Sequence, residues 1–571
     1  MTAPDPVVAQ LTGEGGAFEI VVEDVLGHPT QVYKSRMSSL RDLMRQNEAR
    51  AEIEWLVQGD TRYTFGEHDR LARVLAARLH ELGVERGDRV ALVSANLPEW
   101  VITWWACAIL GAVVVPLNAW WKAEELEFGI VDSESKVLIA DSRRIELVRE
   151  RLTEMRALEH VFAIGEPGAH PVLPFASLLE DADDPGMPSG FIEEDDLLAI
   201  LYTSGTTGQP KGATLTHRQA IGNLQNIVVG GVASIMRGTP PPEASASLQT
   251  ATLLVVPLFH VTGCLATMIL NYATGGKLVL MPVGRFDPGV ALQIIEREKI
   301  TSFGGVPTIM WRILEYPDLE KFDLSSVQRA SYGGAPAAPE LVERIEQVFP
   351  NLRKTLATAY GLTETASVAT AISGEDYFAH PGSVGRAAPT VEVRTVNEDG
   401  VDAAPNERGE VWIKGPTVMN RGYWRRPDAN EAAFSDGWFH TGDIGYLDDE
   451  GYLYLVDRAK DMIIRAGENV YCVEVEHVLF DHPDVIDAAV VGVPHKTLGE
   501  EVKAVVQLRA GATATADDIR NFCRKHLADF KVPEYVDMRS EPLPRNPAGK
   551  VLKQELRGEA TSFAAADDQT L

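Results

Sequence analysis

Small hydrogen-bonding residues and one lysine are concentrated in the stretch Leu201 to His217, LYTSGTTGQPKGATLTH, directly behind an apolar run. Successive glycines let backbone N–H groups turn toward a ligand without a Cβ clash. The hydroxyls of Ser204, Thr206 and Thr207 add donors, and Lys211 adds a positive charge. Because the stretch follows a predicted buried strand, we expect it at the carboxyl edge of a sheet, where open α/β folds bind ligands. The pattern predicts a phosphate cradle; a solvated turn and a flexible linker are the alternatives.

The common phosphate-binding patterns do not fit this stretch. A P-loop requires G-x-x-x-x-G-K-[ST], whereas Gly205 and Gly208 are three residues apart and Lys211 is followed by Gly212. The sequence contains no G-x-G-x-x-G, no G-x-S-x-G and no H-E-x-x-H. A P-loop kinase, a dinucleotide-dependent dehydrogenase, an α/β-hydrolase and a zinc protease are therefore disfavoured.

Length and charge narrow the class of protein. A chain of 571 residues is too long for one ordinary core, so two or three domains are expected. The 53 Lys and Arg against 82 Asp and Glu give a formal charge of −29, which argues against non-specific binding of nucleic acid. The four cysteines form no C-x-x-C pair, so a disulfide framework and a structural zinc site are disfavoured. No secretory signal is visible, and we expect a cytoplasmic protein.

Residues Trp100 to Leu117, WVITWWACAILGAVVVPL, form an eighteen-residue run in which only Thr103 is polar. This length reaches the lower limit of a membrane helix. A buried helix explains the run better, because Asn96 offers an N-cap, Pro98 suits the first turn and Gly111 can end the helix. No cluster of Lys and Arg flanks the run. We expect no transmembrane segment, and peripheral membrane contact stays open.

Apolar strands alternate with helical patterns up to about Thr390. The segment at Thr64 opens with the capping box TFGE, and leucines then recur at helical spacing up to Gly83. Apolar runs such as RVALVS, AVVVPL, KVLIAD, HVFAIG, TLLVVPL and KLVLMP indicate buried strands. After Thr390 the strands become short and alternating, and past Lys460 the pattern is mixed. The sequence predicts an α/β fold with layered, largely parallel sheets, a β-rich subdomain and a small α+β C-terminal part.

Further motifs follow the Gly/Thr-rich stretch in a fixed order: PLFHVTG (257–263), YGGAP (332–336), YGLTETA (360–366), GEVWIKGP (409–416), WFHTGDIGYLDDEGYLYLVDR (438–458), KDMIIRAGENVY (460–471) and PRNPAGKVLK (544–553). Over roughly residues 50 to 555 the chain resembles the adenylate-forming superfamily, in its branch of acyl-CoA synthetases and fatty-acid–CoA ligases. The resemblance implies an N-terminal adenylation domain at 1–459, which holds ATP and the acid. It also implies a mobile C-terminal domain at 460–571, with its hinge at Lys460.

The resemblance implies a two-step reaction that uses ATP, Mg²⁺ and coenzyme A. A carboxylate attacks the α-phosphate and pyrophosphate leaves; a thiol then attacks the acyl-adenylate and AMP leaves. A domain rotation would present Lys550 for the first step and the RAGENV loop for the second. A carboxylic acid and CoA are therefore the expected partners, and the protein is expected to be a monomer or a homodimer.

The resemblance assigns roles to the positions that match the family's motifs. The expected catalytic residues are Lys550, Glu364 and His260, and the expected magnesium ligands are Thr203 and Glu364. ATP or AMP is expected to contact Thr203, Ser204, Gly205, Thr206, Thr207, Gly208, Lys211, Gly334, Ala335, Pro336, Tyr360, Gly361, Thr363, Asp443, Arg458 and Lys550. The acid is expected to contact His260, Gly305, Gly333, Gly361 and Thr365, and Gly467 is expected to line the CoA tunnel. Lys550 would contact both the carboxylate and the α-phosphate, where charge builds in the transition state.

The acid pocket is predicted from the segments FHVTGCLATM, FGGVPTIMW, SYGGA and AYGLT. Their apolar character favours a fatty, aryl or ring-bearing acid over an amino acid, and Gly304 and Gly305 suggest room. Trp120 and Trp121 are consistent with packing, surface or membrane contact. The alternatives to a CoA ligase are a stand-alone acyl-AMP ligase for a carrier protein, a luciferase-like oxygenase and a nucleotide-binding protein without catalysis. The absence of a carrier domain after Lys550 favours the CoA ligase.

Overall fold

The structure is a computed structural model that describes residues 5–180, 183–203, 209–239, 249–333, 339–466, 468–509, 511–546 and 549–558. Sheets of seven, fourteen and five strands and one two-stranded hairpin carry the described chain. Helices cover the sheets, so the predicted α/β class is confirmed.

The first two-thirds of the chain alternates strands with helices. Up to residue 180 the elements are α1 Pro6–Thr12, β1 Ile20–Val25, β2 His28–Tyr33, α2 Leu40–Gln46, β3 Glu54–Gln58, β4 Thr61–Thr64, α3 Phe65–Glu81, β5 Arg89–Val93, α4 Pro98–Leu110, β6 Val113–Pro116, α5 Ala123–Asp132, β7 Val137–Asp141, α6 Ser142–Val148, β8 His160–Ile164 and β9 Leu173–Pro174. Up to residue 348 they are β10 Leu197–Thr203, β11 Lys211–Thr216, α7 His217–Met236, β12 Ala251–Leu254, the π-helix Thr262–Ile269, α8 Leu270–Thr274, β13 Lys277–Leu280, α9 Pro288–Glu298, β14 Ser302–Gly305, α10 Pro307–Leu314, β15 Arg329–Gly333 and α11 Pro339–Val348.

The last third of the chain is richer in strands. Up to residue 465 the elements are β16 Ala357–Tyr360, β17 Thr370–Ser373, α12 Gly374–Ala379, β18 Ser383–Ala387, β19 Glu392–Val396, β20 Gly409–Lys414, α13 Pro427–Ala433, β21 Phe434–Ser435, β22 Trp438–Leu447, β23 Leu453–Arg458 and β24 Ile463–Arg465. The last elements are β25 Glu468–Val470, α14 Cys472–Phe480, β26 Val485–His495, β27 Gly499–Leu508, α15 Ala516–His526, β28 Tyr535–Arg539 and α16 Lys553–Arg557. Short 3₁₀ turns lie at Asn47–Arg50, Arg149–Glu154, Phe175–Leu178, Leu319–Lys321, Pro350–Lys354, Thr363–Thr365 and Asp529–Lys531.

The seven-stranded sheet carries the predicted phosphate stretch. Its order is β11-β10-β6-β5-β7-β8-β9, and the only antiparallel pair along that path is β10 with β11. The stretch therefore connects two antiparallel strands and does not lead from a strand into a helix. Since β10 runs parallel to β6, the connection still leaves from the carboxyl edge of the parallel strands, as predicted.

The fourteen-stranded sheet joins two regions that the sequence pattern separated. Strands β3, β13, β12, β14, β15 and β16 run parallel, and the sheet then continues with antiparallel strands. Pairing of β18 with β23 brings the β-rich subdomain onto the same sheet. The end of β16 and the hairpin β22–β23 are thereby held in one framework.

Helix α4 occupies the interior of the protein. Trp100, Trp104 and Trp105 are completely buried, and the first two rings stack at a centroid distance of 5.4 Å. Gly111 ends the helix with φ of 86°, and its N–H donates to the carbonyl of Cys107. The buried-helix interpretation is confirmed. No helix in the described ranges is long and apolar enough to cross a membrane.

The predicted N-cap at Asn96 is wrong, because Leu97 occupies the N-cap position without a side-chain cap. Asn96 instead connects the two large sheets. Its Nδ2 donates to the carbonyl of Val256 at 2.9 Å, and its Oδ1 accepts from the N–H of Leu258 at 2.8 Å. The long-range hydrogen bonds compete with the local cap, and they fix the loop that leaves β12.

Replacing Asn96 by Ala removes both bonds and leaves the two backbone groups of that loop without their partners. We expect Asn96→Ala to lower the free energy of unfolding by roughly 1–3 kcal/mol. Denaturant unfolding followed by tryptophan fluorescence measures this change. Asn521→Ala, on the exposed face of α15, is the control and should stay within about 0.5 kcal/mol of wild type. Equal small effects of both variants would contradict a sheet-connecting role for Asn96.

Candidate active site

One cleft of about 3200 Å³ collects most of the predicted site residues. A pocket for one small ligand is typically 300–1,000 Å³, so this cleft joins several binding regions. Predicted residues that line it are Thr203, Lys211, His260, Gly305, Gly333, Tyr360, Gly361, Thr363, Glu364, Asp443, Arg458, Lys460 and Lys550. Predicted residues that lie outside the described part of the chain are Ser204, Gly205, Thr206, Thr207, Gly208, Gly334, Ala335, Pro336 and Gly467.

A buried carboxylate at Asp443 organises one wall of the cleft. The hydroxyl of Tyr360 donates to Asp443 Oδ2 at 2.6 Å, and Arg458 Nε approaches Oδ1 at 2.9 Å. Asp443 and Arg458 are register partners on β22 and β23, while Tyr360 is the last residue of β16. Burial and the adjacent Asp443 raise the pKa of Tyr360 well above its usual range, so its hydroxyl keeps its proton. The three side chains form a polar wall of the cleft that offers a ligand both hydrogen-bond donors and acceptors.

Glu364 forms a second polar group, which the sequence predicted only in part. Tyr423 Oη donates to Glu364 Oε1 at 2.8 Å, and the ammonium of Lys211 lies 5.2 Å from the centre of the Tyr423 ring. The backbone N–H of Trp424 donates to the carbonyl of Gly212, which fixes this segment beside β11. Burial raises the pKa of Glu364, so a nearby cation would favour its ionised form.

The turn that carries Glu364 depends on close backbone approach at Gly361. A Cβ built on Gly361 would lie 1.5 Å from the carbonyl oxygen of Ser367, so no side chain fits there. Thr365 closes the same turn, because its Oγ1 accepts from the N–H of Leu362 at 2.9 Å. Thr365 is completely buried and is not among the residues that line the cleft. Its predicted contact with the acid is therefore not supported by its position.

Lys550 reaches the cleft on a short hairpin of the C-terminal part. The N–H of Lys550 donates to Asn546 Oδ1 at 2.9 Å, and its carbonyl accepts from the N–H of Asn546 at 2.8 Å. Arg545 braces the turn by donating to the carbonyl of Gly549 at 2.6 Å and by an ion pair with Asp487 at 2.7 Å. A Cβ on Gly549 would lie 2.5 Å from the side chain of Val306, so Gly549 packs directly against the residue that precedes α10.

The electrostatic surroundings of Lys550 favour an anionic ligand. Desolvation inside the cleft, together with the charges of Arg458 and Lys460, lowers the pKa of Lys550 to about 7. The side chain keeps exposed surface toward the cleft, so solvent there moderates the shift. Desolvation and the Arg458 charge also lower the pKa of Lys460, to about 8. Three cationic side chains that repel one another are stabilised when a polyanion binds between them.

Lys460, the predicted hinge, lies two residues after β23 ends. On β23 itself, Asp457 accepts a hydrogen bond from the N–H of Cys472, the first residue of α14. Burial raises the pKa of Asp457 to about 6, although the Lys553 charge opposes this. The hydrogen bond joins the two parts directly beside the predicted hinge. The hinge and the domain boundary at 459/460 stay predictions.

His260 stands on the loop that Asn96 holds. Burial lowers the pKa of His260 to about 4, so the imidazole is neutral at pH 7. Nδ1 accepts from the N–H of Thr262 at 3.4 Å, which assigns the proton to Nε2. The imidazole can therefore donate a hydrogen bond to an oxygen atom in the cleft, but it carries no charge there.

Packing accounts for the two tryptophans whose role the sequence left open. Trp120 is half-buried and meets Phe259, the neighbour of His260, edge-on at 5.2 Å. Trp121 is buried and packs against Tyr202 at 6.1 Å. Both rings support walls of the cleft, and neither is an isolated surface group.

The predicted acid-pocket segments divide between cleft and core. From them, Phe259 to Thr262, Ala266, Thr267, Phe303 to Val306, Ile309, Ser331 to Gly333 and Ala359 to Thr363 line the cleft. Gly263, Cys264, Leu265, Met268 and Met310 are buried in the core instead. A Cβ on Gly304 would clash with Ser331 Oγ at 2.3 Å. The space beside Gly304 is therefore filled by the side chain of Ser331 and does not enlarge the pocket.

Sequence reasoning missed Tyr423, Arg545 and Asp487. Each contacts a partner more than 50 residues away in the sequence: Tyr423 donates a hydrogen bond to Glu364, and Arg545 forms an ion pair with Asp487. Arg545 stood inside the motif PRNPAGKVLK, and its position five residues before Lys550 was the available signal. Nothing local marks Tyr423 or Asp487, because their partners come together only in the folded chain.

The close approach at Gly361 generates a stability test. We expect Gly361→Ala to displace the Ser367 carbonyl and to lower the free energy of unfolding by roughly 2 kcal/mol or more, as overpacking does. The matched control is Gly222→Ala in α7, whose Cβ would meet Thr417 at an ordinary 3.5 Å. This control should be neutral or stabilise by up to about 1 kcal/mol. Urea denaturation gives both values, and a neutral Gly361→Ala would contradict the geometry.

Known proteins match both parts of the chain. The family described as AMP-binding enzyme matches residues 43–424, and the AMP-binding enzyme C-terminal domain matches residues 474–550. The chain is 36% identical over 505 residues to a feruloyl-CoA synthase of Amycolatopsis sp, covering 87% of this chain and 94% of the relative. It is 34% identical over 527 residues to a long-chain-fatty-acid–CoA ligase of Bacillus subtilis, covering 86% and 90%. A solved anthranilate CoA ligase in complex with anthranoyl-AMP has a TM-score of 0.81 at 25% identity, covering 92% and 97%.

Proposed function

The chain belongs to the family of AMP-binding enzymes, in the adenylate-forming superfamily, as an AMP-forming acid–CoA ligase, and we propose that it activates an apolar carboxylic acid as the acyl-adenylate before thioester formation. The observation that carries this proposal is the position of Lys550. A hairpin of the C-terminal part places this lysine in the same cleft as Asp443, Arg458 and His260.

In the first step, a carboxylate oxygen of the acid attacks the α-phosphorus of ATP. The bond from the α-phosphorus to the bridging oxygen breaks, and pyrophosphate leaves with the electron pair. Asp443 accepts hydrogen bonds from the ribose hydroxyls, and Arg458 and Lys550 stabilise the charge on the phosphoryl oxygens. The neutral His260 donates from Nε2 toward the acid carboxylate. Lys211, which lines the same cleft, offers a positive charge to the leaving pyrophosphate.

In the second step, the sulfur of CoA attacks the acyl carbon of the adenylate. The thioester forms, the bond from the acyl carbon to the phosphate oxygen breaks, and AMP leaves. A rotation about Lys460 would withdraw the Lys550 hairpin and bring the RAGENV loop to the cleft, with Gly467 along the pantetheine path. Release of the Asp457–Cys472 hydrogen bond and of the Gly549–Val306 contact would accompany this rotation.

Magnesium fits the oxygen donors of the first step. Thr203 Oγ1 and the Glu364 carboxylate are hard oxygen ligands, as Mg²⁺ prefers, and phosphate oxygens would complete its coordination. In the described ranges, no group of three or more His, Cys, Asp and Glu could hold a metal. A bound Mg²⁺ would neutralise phosphate charge, and it would also favour the ionised form of the buried Glu364.

The substrate proposal rests on the walls of the cleft beyond His260. Apolar side chains that line the cleft include Ile227, Val228, Leu254, Phe259 and Leu270. They suit the aliphatic or aromatic body of an acid. The names of the Amycolatopsis and Bacillus relatives specify a feruloyl and a long-chain fatty acyl group, which supports the same class. Cytoplasmic location and a monomeric or dimeric state remain predictions.

The central role of Lys550 is tested by separating the half-reactions. We expect Lys550→Ala to slow acyl-adenylate formation by roughly 100-fold or more, because a cation that stabilises phosphoryl charge is lost. Thioester formation from supplied acyl-adenylate should stay close to the wild-type rate. Rapid-quench assays of pyrophosphate and of acyl-CoA measure the two steps. Lys525→Ala on α15 is the exposed control, and equal losses in both half-reactions for Lys550→Ala would contradict the domain rotation.

The lowered pKa of Lys550 predicts proton uptake when ATP binds. The triphosphate raises the pKa of Lys550 above about 7, so at pH 8 the complex holds more protons than the free enzyme. At pH 6 the lysine is protonated in both states and this uptake disappears. Titration calorimetry at pH 8 in two buffers of different ionisation enthalpy measures the proton number. Lys550→Gln should remove most of it and Lys525→Gln none; unchanged uptake in Lys550→Gln would contradict the assignment.

A further inference from the structure

Arg329 is a charged residue of the cleft to which neither the sequence nor the two-step reaction assigns a role. It begins strand β15, whose side chains alternate between two faces. Ala330 and Tyr332 belong to the apolar cluster that also contains Leu341 of α11. The half-buried Arg329 and the exposed Ser331 therefore lie on the opposite face, together with Gly333.

This opposite face also carries Gly333, one of the predicted contacts of the acid, and we therefore assign it to the floor of the acid-binding region. In the parallel register, Arg329 lies beside Ser302 of β14, and Ser302 lies beside Thr252 of β12. Thr252 Oγ1 donates to Asn271 Oδ1 on α8 at 2.8 Å, so this face is directed toward α8 and the π-helix. The row Thr252, Ser302 and Arg329 is polar, and all three residues line the cleft.

Arg329 differs from the other arginines of the cleft. Six cleft-lining arginines have a carboxylate oxygen within 4.0 Å: Arg237, Arg386, Arg394, Arg458, Arg545 and Arg557. For Arg329 the described part of the chain offers no ion pair and no side-chain hydrogen bond. Burial alone lowers its pKa, with no charged neighbour contributing in either direction. A partly desolvated guanidinium without a counterion is costly, and a bound anion would offset that cost.

The separation between Gly333 and Arg329 along β15 sets the length of the ligand. Gly333, at the carboxyl end of β15, lies beside Ala359 of β16. Ala359 directly precedes Tyr360, which belongs to the polar wall formed with Asp443 and Arg458. Arg329 is four residues earlier on the same strand, which corresponds to roughly 13 Å at about 3.3 Å per residue. A guanidinium at this place faces the far end of an acid whose carboxylate is at His260 and Gly333.

We propose that Arg329 binds a second carboxylate at the distal end of the acid, so that the enzyme prefers dicarboxylic acids with an apolar body. This proposal rests on the proposed function and deepens it. A guanidinium binds a carboxylate through two parallel N–H donors, which a monocarboxylic acid of the same length cannot satisfy. The apolar walls contact the body of the acid, and Arg329 binds the carboxylate at its distal end.

Matched acids test the proposal: decanedioic against decanoic acid, and 4-carboxycinnamic against cinnamic acid. For each pair, kcat/KM for AMP release with CoA is measured on the full-length wild type and on Arg329→Met. We expect the wild type to favour the dicarboxylic member, and Arg329→Met to lose roughly 10- to 100-fold on that member alone, as for a hydrogen bond to a charged group. Arg329→Lys should recover part of the loss, and the exposed Arg156→Met should match wild type.

The outcomes separate this proposal from the proposed function. Turnover of the monocarboxylic acids with no preference for the dicarboxylic members, or equal losses on both members in Arg329→Met, would overturn the role of Arg329 and leave the ligase intact. If the enzyme releases AMP with none of the acids, the proposed function fails. Calorimetric binding of decanedioate then tests whether Arg329 binds the distal carboxylate. Binding lost in Arg329→Met would still support it, and unchanged binding would overturn it. A melting temperature of Arg329→Met at or above that of wild type would exclude a structural loss as the cause.

Discussion

The buried carboxylate of Asp443 is the interaction on which the rest of the cleft depends. It accepts from Tyr360 at 2.6 Å and pairs with Arg458 at 2.9 Å, so three strands of one sheet are held at one point. A buried charge without such partners would be strongly destabilising, and removal of one partner would leave the other uncompensated. The continuous fourteen-stranded sheet makes the contact available, because β18 pairs with β23 and joins the β-rich hairpin to the parallel strands.

The contact between Asp443 and Arg458 also lies where the chain leads into the C-terminal part. Arg458 ends β23, and the chain turns toward the third sheet within a few residues. Lys460 and the Lys550 hairpin then bring two further cations close to Arg458. A chain of formal charge −29 can therefore bind a polyanion, because the local charge of the cleft and not the net charge decides this. The mutual repulsion of these cations is the physical reason that nucleotide binding and closure of the C-terminal part should be coupled.

Local signals predicted several helix ends correctly, except where a contact between distant residues outweighed them. The capping box at Thr64 and the helix end at Gly111 form as predicted, since both depend on residues within one or two turns. The motif order located Asp443, Arg458 and Lys550 in one cleft. Asn96 was assigned wrongly because a contact about 160 residues away outweighs its local preference.

Residues that act through distant partners also escaped prediction. Tyr423 is visible only once β11 and the Glu364 turn are side by side, and Arg329 only once strand alternation shows which face of β15 it occupies. The cleft as a whole is less apolar than the predicted acid-pocket segments, because Arg329, Ser302 and Ser331 also line it. Thr365 is a motif residue whose hydroxyl accepts from the N–H of Leu362 and so holds the turn of the chain; its contact with the acid stays a prediction.

The proposed adenylation site is best tested by a structure of the protein with a non-hydrolysable acyl-sulfamoyl adenosine. We expect the ribose hydroxyls of this analogue to bind Asp443, Arg458 and Lys550 to contact the sulfamate in place of the phosphate, and the acyl chain to pass His260 along the face of β15 that carries Arg329. An analogue bound with its ribose away from Asp443, or a Lys550 hairpin withdrawn from the sulfamate, would contradict this site.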